Sequence, residues 1–437
     1  MIRRQFVALA LSACLLPAGL LVAGKAGIAS AQMADSVAEP VTISFYSYNL
    51  STAGAGREAT LELIAAFEKA NPTIKVEPIG APPNEILSRV QADMVAGVDV
   101  DVAQLPFREL VYAAEQMGAQ ALEDVAGDEL AAHAEGFVPS GLALGQVEGK
   151  TYGLAYVFST PILYINRTLF EQAGLDPDRP PRTWDEVKAA GIAIAEKTGK
   201  HGFFPGAYGP IDGTFVYQSI IMSNGGKVRE GNRLTFADKD QADAVAMLRD
   251  LVDAGAHARI DVGAHLDTFQ SGNLGMFLYT TAVLNHFEKA AAGNFELGLA
   301  PLPSFGEKPT APTNSGAAIF MFSQDPVKQR AAWELMKFLT SAEAYTTITT
   351  KIGYLPLRPA IVDDPRYLKD WIEANPKYRV NLEQLERLTP NVAFGGDNYR
   401  QVENLMMDAV REAVFGSGDP HEALRVAQER AQQLMPN

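Results

Sequence analysis

The stretch "YVFSTPILYINRTLF", Tyr156 to Phe170, decides how the chain is read. Ile162, Leu163, Tyr164 and Ile165 are apolar or aromatic, as a buried strand requires. Ser159, Thr160 and Pro161 interrupt the run. Proline has no N–H to give to a sheet ladder, so it is confined to edges, strand starts or bulges. The stretch therefore predicts a strand over 162–165 that begins after a break. What the break separates follows from the flanking sequence.

On the N-terminal side, "VTISFYSY" (Val41–Tyr48) alternates Val41, Ile43 and Phe45 with Thr42 and Ser44, the pattern of a strand. A small-residue loop leads into a helix with Leu61, Ile64, Ala65 and Phe67 on one face, stopped at Asn71-Pro72. "TIKVEPI" is a second strand, a helix is predicted over about 84–96, and "VDVDVAQL" (Val98–Leu105) reads as a third strand. Asp99 and Asp101 would share its solvated face. This β-α-β-α-β order implies a parallel or mixed sheet covered by helices, an α/β fold.

A second region of the same kind opens on the C-terminal side. Thr183 and Glu186 fit a capping box before a helix that runs to about residue 197. "HGFFPGAYGPIDG" reads as an aromatic loop, 240–254 as an amphipathic helix, and "LGMFLYTTA" and "FELGLAPLP" as short strands. Thr313–Ser323 is a further strand. Asp325 then caps a helix with Pro326 at its first position, and Trp333, Met336 and Leu339 fall at core spacing. "KIGYLPLRP" is a connector, and the remainder reads as largely helical. Its last helix spans about 420–435 and is capped by Asp419.

The chain has 437 residues, more than one hydrophobic core holds. Residues 1–31 read as a cleaved signal peptide: Arg3 and Arg4, an apolar run from Phe6 to Ala23, then Ala29-Ser30-Ala31. "LSAC", ending at Cys14, also matches a lipid-attachment box, but cleavage after Ala31 fits the run better and leaves a chain without cysteine. The formal charge of −15 becomes −18 once Arg3, Arg4 and Lys25 are removed. Such an acidic chain is a poor partner for nucleic acid.

No catalytic, metal or cofactor motif is present. The six histidines have no metal-ligand spacing, and there is no HExxH, Gly-x-Ser-x-Gly, Walker or GxGxxG pattern. Instead, aromatic and hydroxyl residues recur at strand ends: Tyr46, Tyr48, Phe107, Ser159, Tyr208, Tyr279, Thr281 and Tyr354. Rings stack on the C–H faces of polyhydroxylated solutes while hydroxyls bond their oxygens. In open α/β sheets, ligands sit beyond the carboxyl ends of strands. Trp184, Trp333 and Trp371 read as helix-borne and structural, so any stacking platform is tyrosine or phenylalanine.

These segments together resemble the bacterial extracellular solute-binding proteins of the carbohydrate group (family 1), which feed ATP-binding-cassette importers. The residues that carry the resemblance are "STPILYINRTLFEQAGLDPDRPPRTWDEV" (Ser159–Val187), "FQSGNLGMFL", "GLAPLP", "NSGAAIFMF" and "GYLPLRP", in that order. It implies a two-lobed periplasmic-binding-protein fold of type II, with mixed sheets, flanking helices and a ligand cleft between lobes. The lobes would comprise 41–157 plus 315–354 and 158–314 plus 355–437. It also implies a periplasmic, monomeric, non-enzymatic protein that binds a sugar or glycoside without a cofactor and delivers it to permease subunits.

The members that bind glycerol 3-phosphate are the nearest pattern, which makes that compound or a glycerophosphodiester the alternative ligand. Against them, Ser159, Thr281, Gly316 and Tyr354 fall at ligand-contacting positions, and Tyr208 falls near a contacting tryptophan. A contacting glutamate is replaced near Phe107. A phosphate-binding arginine is lost near Gly396, with Arg400 close by. A sugar is therefore the expected ligand.

Overall fold

A computed structural model describes residues 32–209 and 213–436. The expected signal peptide and Cys14 lie outside the described residues.

Nine strands form two separate sheets. In chain order they are β1 (Val41–Ser47), β2 (Ile74–Gly80), β3 (Val102–Pro106), β4 (Gly153–Ser159), β5 (Pro161–Asn166), β6 (His201–Pro205), β7 (Leu274–Thr280), β8 (Leu297–Ala300) and β9 (Ser315–Met321). The first sheet has the order β2-β1-β3-β9-β4, and the second β8-β5-β7-β6. β1 lies parallel to β2 and β3, while β9 runs antiparallel to β3 and β4. In the second sheet, β7 is antiparallel to β5 and parallel to β6. Both sheets are mixed, as the fold class requires.

The helices that matter for the site are α1 (Ala55–Ala70), α2 (Ile86–Val95), α3 (Trp184–Thr198), α4 (Thr214–Ser223), α5 (Lys239–Asp253), α6 (Pro326–Leu339) and α7 (Tyr399–Phe415). Local chemistry sets several ends. The Thr183–Glu186 capping box is complete at α3. Asp325 Oδ1 accepts from the N–H groups of Val327 and Lys328, with Pro326 at the first turn of α6. The α1 core face is Ala59, Thr60, Leu63, Ile64 and Phe67, so the expected Leu61 and Ala65 turn outward instead.

Two other expectations are corrected. β3 begins only at Val102, and Asp101 is buried rather than solvated. Its carboxylate accepts from the Ser44 N–H (2.9 Å) and the Ser323 hydroxyl (2.8 Å), which makes it a cross-link between segments far apart in sequence. Asp99 does stay exposed and pairs with Lys328. Residues 201–205 form strand β6 rather than a loop. Gly202 permits this, because a Cβ there would lie 2.2 Å from the Gly191 carbonyl oxygen.

The opening stretch is the junction of the sheets. β4 ends at Ser159 and β5 starts at Pro161, so the chain changes sheets across Thr160 alone. Pro161 occupies the first position of its strand, where its missing N–H costs no ladder bond. The seam is stitched by short bonds. Thr281 N–H donates to the Thr160 carbonyl (3.0 Å), the Thr280 hydroxyl donates to Ser159 Oγ (2.7 Å), and Gln384 donates to the Pro161 carbonyl (2.9 Å). The chain comes back to the first sheet at Ser315, which pairs with Ser159. Next to it, Gly316 has φ +110°, and a Cβ there would sit 2.1 Å from the Val157 carbonyl oxygen.

Gly316→Ala therefore combines a left-handed backbone with a collision at the seam. It is expected to lower the unfolding free energy by about 1–3 kcal/mol in urea titration. An unchanged midpoint and slope would contradict this account of the junction.

Candidate ligand-binding cleft

A cavity of about 190 Å³ lies over the seam. Tyr48, Pro83, Pro106, Phe107 and Arg108 line it from the side of the first sheet. Thr214, Phe215 and Asn391 face them from the other side. Asn314, Ser315, Gly316 and Tyr354 complete it where the chain passes between the two. Each position follows from the fold. Tyr48 and Phe107 are the residues that directly follow β1 and β3, at their carboxyl ends. Thr214 and Phe215 are the first turn of α4, and Gly316 is in β9.

The wall is aromatic and polar. Tyr48, Phe107, Phe215 and Tyr354 supply the rings, and no tryptophan is among the described lining residues. Burial, followed by the neighbouring Tyr354 hydroxyl, holds the Tyr48 phenol well above its ordinary pKa, so it remains a neutral donor. Asn391 N–H donates to Asn314 Oδ1 at 2.7 Å. The Asn391 side-chain oxygen is buried with no hydrogen-bond partner among the described residues.

Behind the wall sits a charge network. The carboxylate of Glu109, almost fully buried, accepts from Arg108 Nε (3.0 Å), Arg400 Nη2 (3.0 Å) and the Tyr399 hydroxyl. Arg108 and Glu109 follow β3, while Tyr399 and Arg400 open α7. The network thus bridges the two sides of the cavity, and the Tyr399 ring lies 5.4 Å from that of Tyr112. Glu403, also on α7, is buried, and burial pushes its carboxyl up to about 7 against the opposing pull of Arg108.

Four sequence-predicted site residues meet at this cavity: Tyr48, Phe107, Gly316 and Tyr354. The others lie elsewhere. Tyr46 points into the helix layer and donates to Asp93 on α2 (2.8 Å). Ser159 and Thr281 are spent on the seam itself. Tyr208 is core, with its hydroxyl 2.7 Å from His257 Nε2 and its ring against Phe415. Tyr279 stacks on Phe277 with ring centroids 5.0 Å apart. Gly396, at φ +77°, sits against Pro436. Arg400, the neighbour of the lost arginine, is engaged by Glu109 and the Tyr399 hydroxyl.

Arg108, Thr214, Phe215 and Asn391 were not anticipated. Asn314 stood inside a quoted family segment, so a signal for it existed. For Arg108 and Thr214 there was none, because tertiary packing alone brings them to the cavity.

Comparison with known proteins decides the family. Residues 62–379 match the family model for bacterial extracellular solute-binding proteins. The chain belongs to that family. A Brucella abortus (strain 2308) protein, named only as a binding protein, is 26% identical over 432 residues, covering 96% of this chain and 98% of its own. The sn-glycerol-3-phosphate-binding periplasmic protein of Shigella flexneri (serotype 5b) is 25% identical over 318 residues, covering 68% of this chain and 71% of its own. Among solved structures, the cyclic α-maltosyl-1,6-maltose binding protein of Arthrobacter globiformis superposes with a TM-score of 0.78. It is 23% identical, over 90% of this chain and 99% of that one. The solute-binding protein therefore has the two-lobed fold, with its cleft over the seam.

The raised Glu403 pKa has a consequence for stability. The folded state binds this proton more tightly than the unfolded chain, so the contribution is fully present below the unfolded value of 4.5. It is lost as pH rises to about 7, a swing of roughly 2–3 kcal/mol. Glu403→Gln should flatten this part of the stability curve between pH 4.5 and 7.5 in denaturant titrations. A curve of unchanged shape would show that Glu403 is not held neutral by burial.

Proposed function

We propose that this protein is the periplasmic solute receptor of an ATP-binding-cassette importer, capturing a hydroxyl-rich solute of the sugar or glycoside class and passing it to the permease. The observation that carries this reading is the cavity over the seam, with four aromatic rings and an unpaired Asn391 oxygen facing one another across it. Rings and neutral donors suit the alternating C–H faces and hydroxyls of a carbohydrate.

In this reading, residues 41–157 plus 315–354 form one lobe and 158–314 plus 355–437 the other. They rotate about Thr160 and its return strand, and the solute shifts the balance between open and closed forms. Tyr48, Phe107, Gly316 and Tyr354 touch the solute. The chain is exported by a signal peptide cleaved after Ala31 and acts as a monomer, without catalysis, cofactor or nucleic acid.

A second reading, glycerol 3-phosphate or a glycerophosphodiester, is favoured by one observation. Arg108 is the only charged residue among the described cavity-lining residues.

Titration calorimetry against mono-, di- and trisaccharides, polyols and glycerophosphodiesters distinguishes the two. Binding of a saccharide is expected, and tight binding of phosphate compounds alone would overturn the preference for sugar. Tyr354→Ala should weaken the bound solute by about 1–3 kcal/mol, and an unchanged affinity would remove Tyr354 from the contact surface.

A further inference from the structure

We propose that the solute carries an oxyanion group, and that this group is seated on the Arg108 guanidinium as a bidentate pair. The inference rests on the reading of the cavity as the ligand site: a carboxylate would narrow the sugar reading to sugar acids, whereas a phosphate ester alone would support the oxyanion seat but replace the sugar by the second reading.

The geometry leads there in steps. Arg108 lines the cavity with its side chain only 16% exposed. Its Nε is committed to Glu109. Its two terminal nitrogens have no hydrogen-bond partner among the described residues. Unpartnered donors on a side chain this little exposed favour an acceptor, and an oxyanion with two oxygens on one centre matches the fork best.

Counting charge separates an oxyanion from a neutral hydroxyl. Glu109 is one carboxylate shared between two guanidiniums, those of Arg108 and Arg400. Tyr399, also bonded to Glu109, stays neutral because burial raises its phenol. Among the described residues, the only other acid in the network is Glu403, behind Thr214 and near Arg108, Glu109 and Arg400. Burial pushes its carboxyl up to about 7, so it is partly protonated near neutral pH. The cavity side of the network therefore holds an excess of positive charge, in a chain whose formal net charge is −15. An arriving oxyanion neutralises that excess, whereas a hydroxyl leaves it in place.

The arrangement also ties binding to a proton. An anion on Arg108 weakens the largest of the three interactions that oppose Glu403 protonation, those with Arg108, the Thr214 hydroxyl and Arg400, so Glu403 takes up a proton as the anion binds. Affinity for a fully ionised ligand should then rise as pH falls from 8.5 to 5.5. The gain is up to about tenfold if the anion raises the Glu403 pKa by about one.

The test uses the purified full-length secreted chain and calorimetry. Galacturonate and digalacturonate serve as carboxylates, glycerol 3-phosphate and glycerophosphocholine as phosphates, and maltose and trehalose as neutral probes. At least one acidic probe is expected to bind more tightly than the neutral ones, and which arm responds identifies the carboxylate or the phosphate. Arg108→Gln should weaken that probe at least about tenfold. Glu403→Gln should fold and bind, but lose the pH dependence. Because its side chain is permanently neutral, its affinity at pH 8.5 should match that of the wild type at pH 5.5. If a neutral saccharide binds with pH-independent affinity, and Arg108→Gln leaves that affinity unchanged in a folded protein, the oxyanion inference is overturned while the carbohydrate reading stands. If the wild type binds none of the probes, both fall together.

Discussion

The structure depends on one constraint: the chain passes from one sheet to the other across a single residue. Thr160 has β4 ending on one side and β5 beginning on the other. A connection that short leaves little freedom, so the two sheets are held at a seam whose geometry is defined by bonds among Ser159, Thr160, Thr280 and Thr281. The return strand must lie directly against it, and only glycine fits at 316, where the backbone has φ +110° and touches the Val157 carbonyl. The cavity lies over this seam because β1 and β3 end beside it and α4 begins there. The hydroxyls of Ser159 and Thr281 are bonded across the seam and hold the two halves in register.

The second organising element is the charge network behind the cavity wall. Two guanidiniums on one buried carboxylate are stable as a group, since the charge-assisted bonds at Glu109 offset the cost of taking it from water. The network spans both sides, with Arg108 and Glu109 following β3 and Tyr399, Arg400 and Glu403 on α7. In the proposed rotation about the seam these contacts would change, which would link closure to the local charge balance. Burial pushes the Glu403 carboxyl up to about 7, so near neutral pH a small change in surroundings moves its proton.

Much of the fold was legible in the sequence because it is encoded locally. Pro161 at a strand start, the Thr183–Glu186 box and the Asp325-Pro326 pair each act on their immediate neighbours, and each stands where its chemistry predicts. Asp101 defeats a pattern-based expectation because alternation with valine resembles a solvated strand face. Its partners, Ser44 and Ser323, are remote in sequence, and only the fold brings them to it. Strand β6 has the pattern of a loop because glycine and proline usually mark turns. Here Gly202 serves close packing against α3, which a one-dimensional pattern does not reveal. In the cavity, the aromatic residues that follow strands, Tyr48 and Phe107, were identifiable from strand ends. Arg108 and Thr214 were not, since an arginine after a strand and a threonine before a helix carry no pattern of their own. Tyr208 and Tyr279 are buried away from the described cavity lining, and a buried ring has the same sequence signature as a ring facing solute.

The central claim is that two halves turn about the Thr160 seam to enclose a solute. The chain after Ala31 has no cysteine, so paired spin labels at Glu85→Cys and Asp397→Cys, one in each proposed lobe, would report only on the distance between the lobes. Pulsed electron–electron resonance should show this distance shorten and its distribution narrow when a bound solute is added, as the open form is depleted. An unchanged distribution at saturating solute would contradict the account.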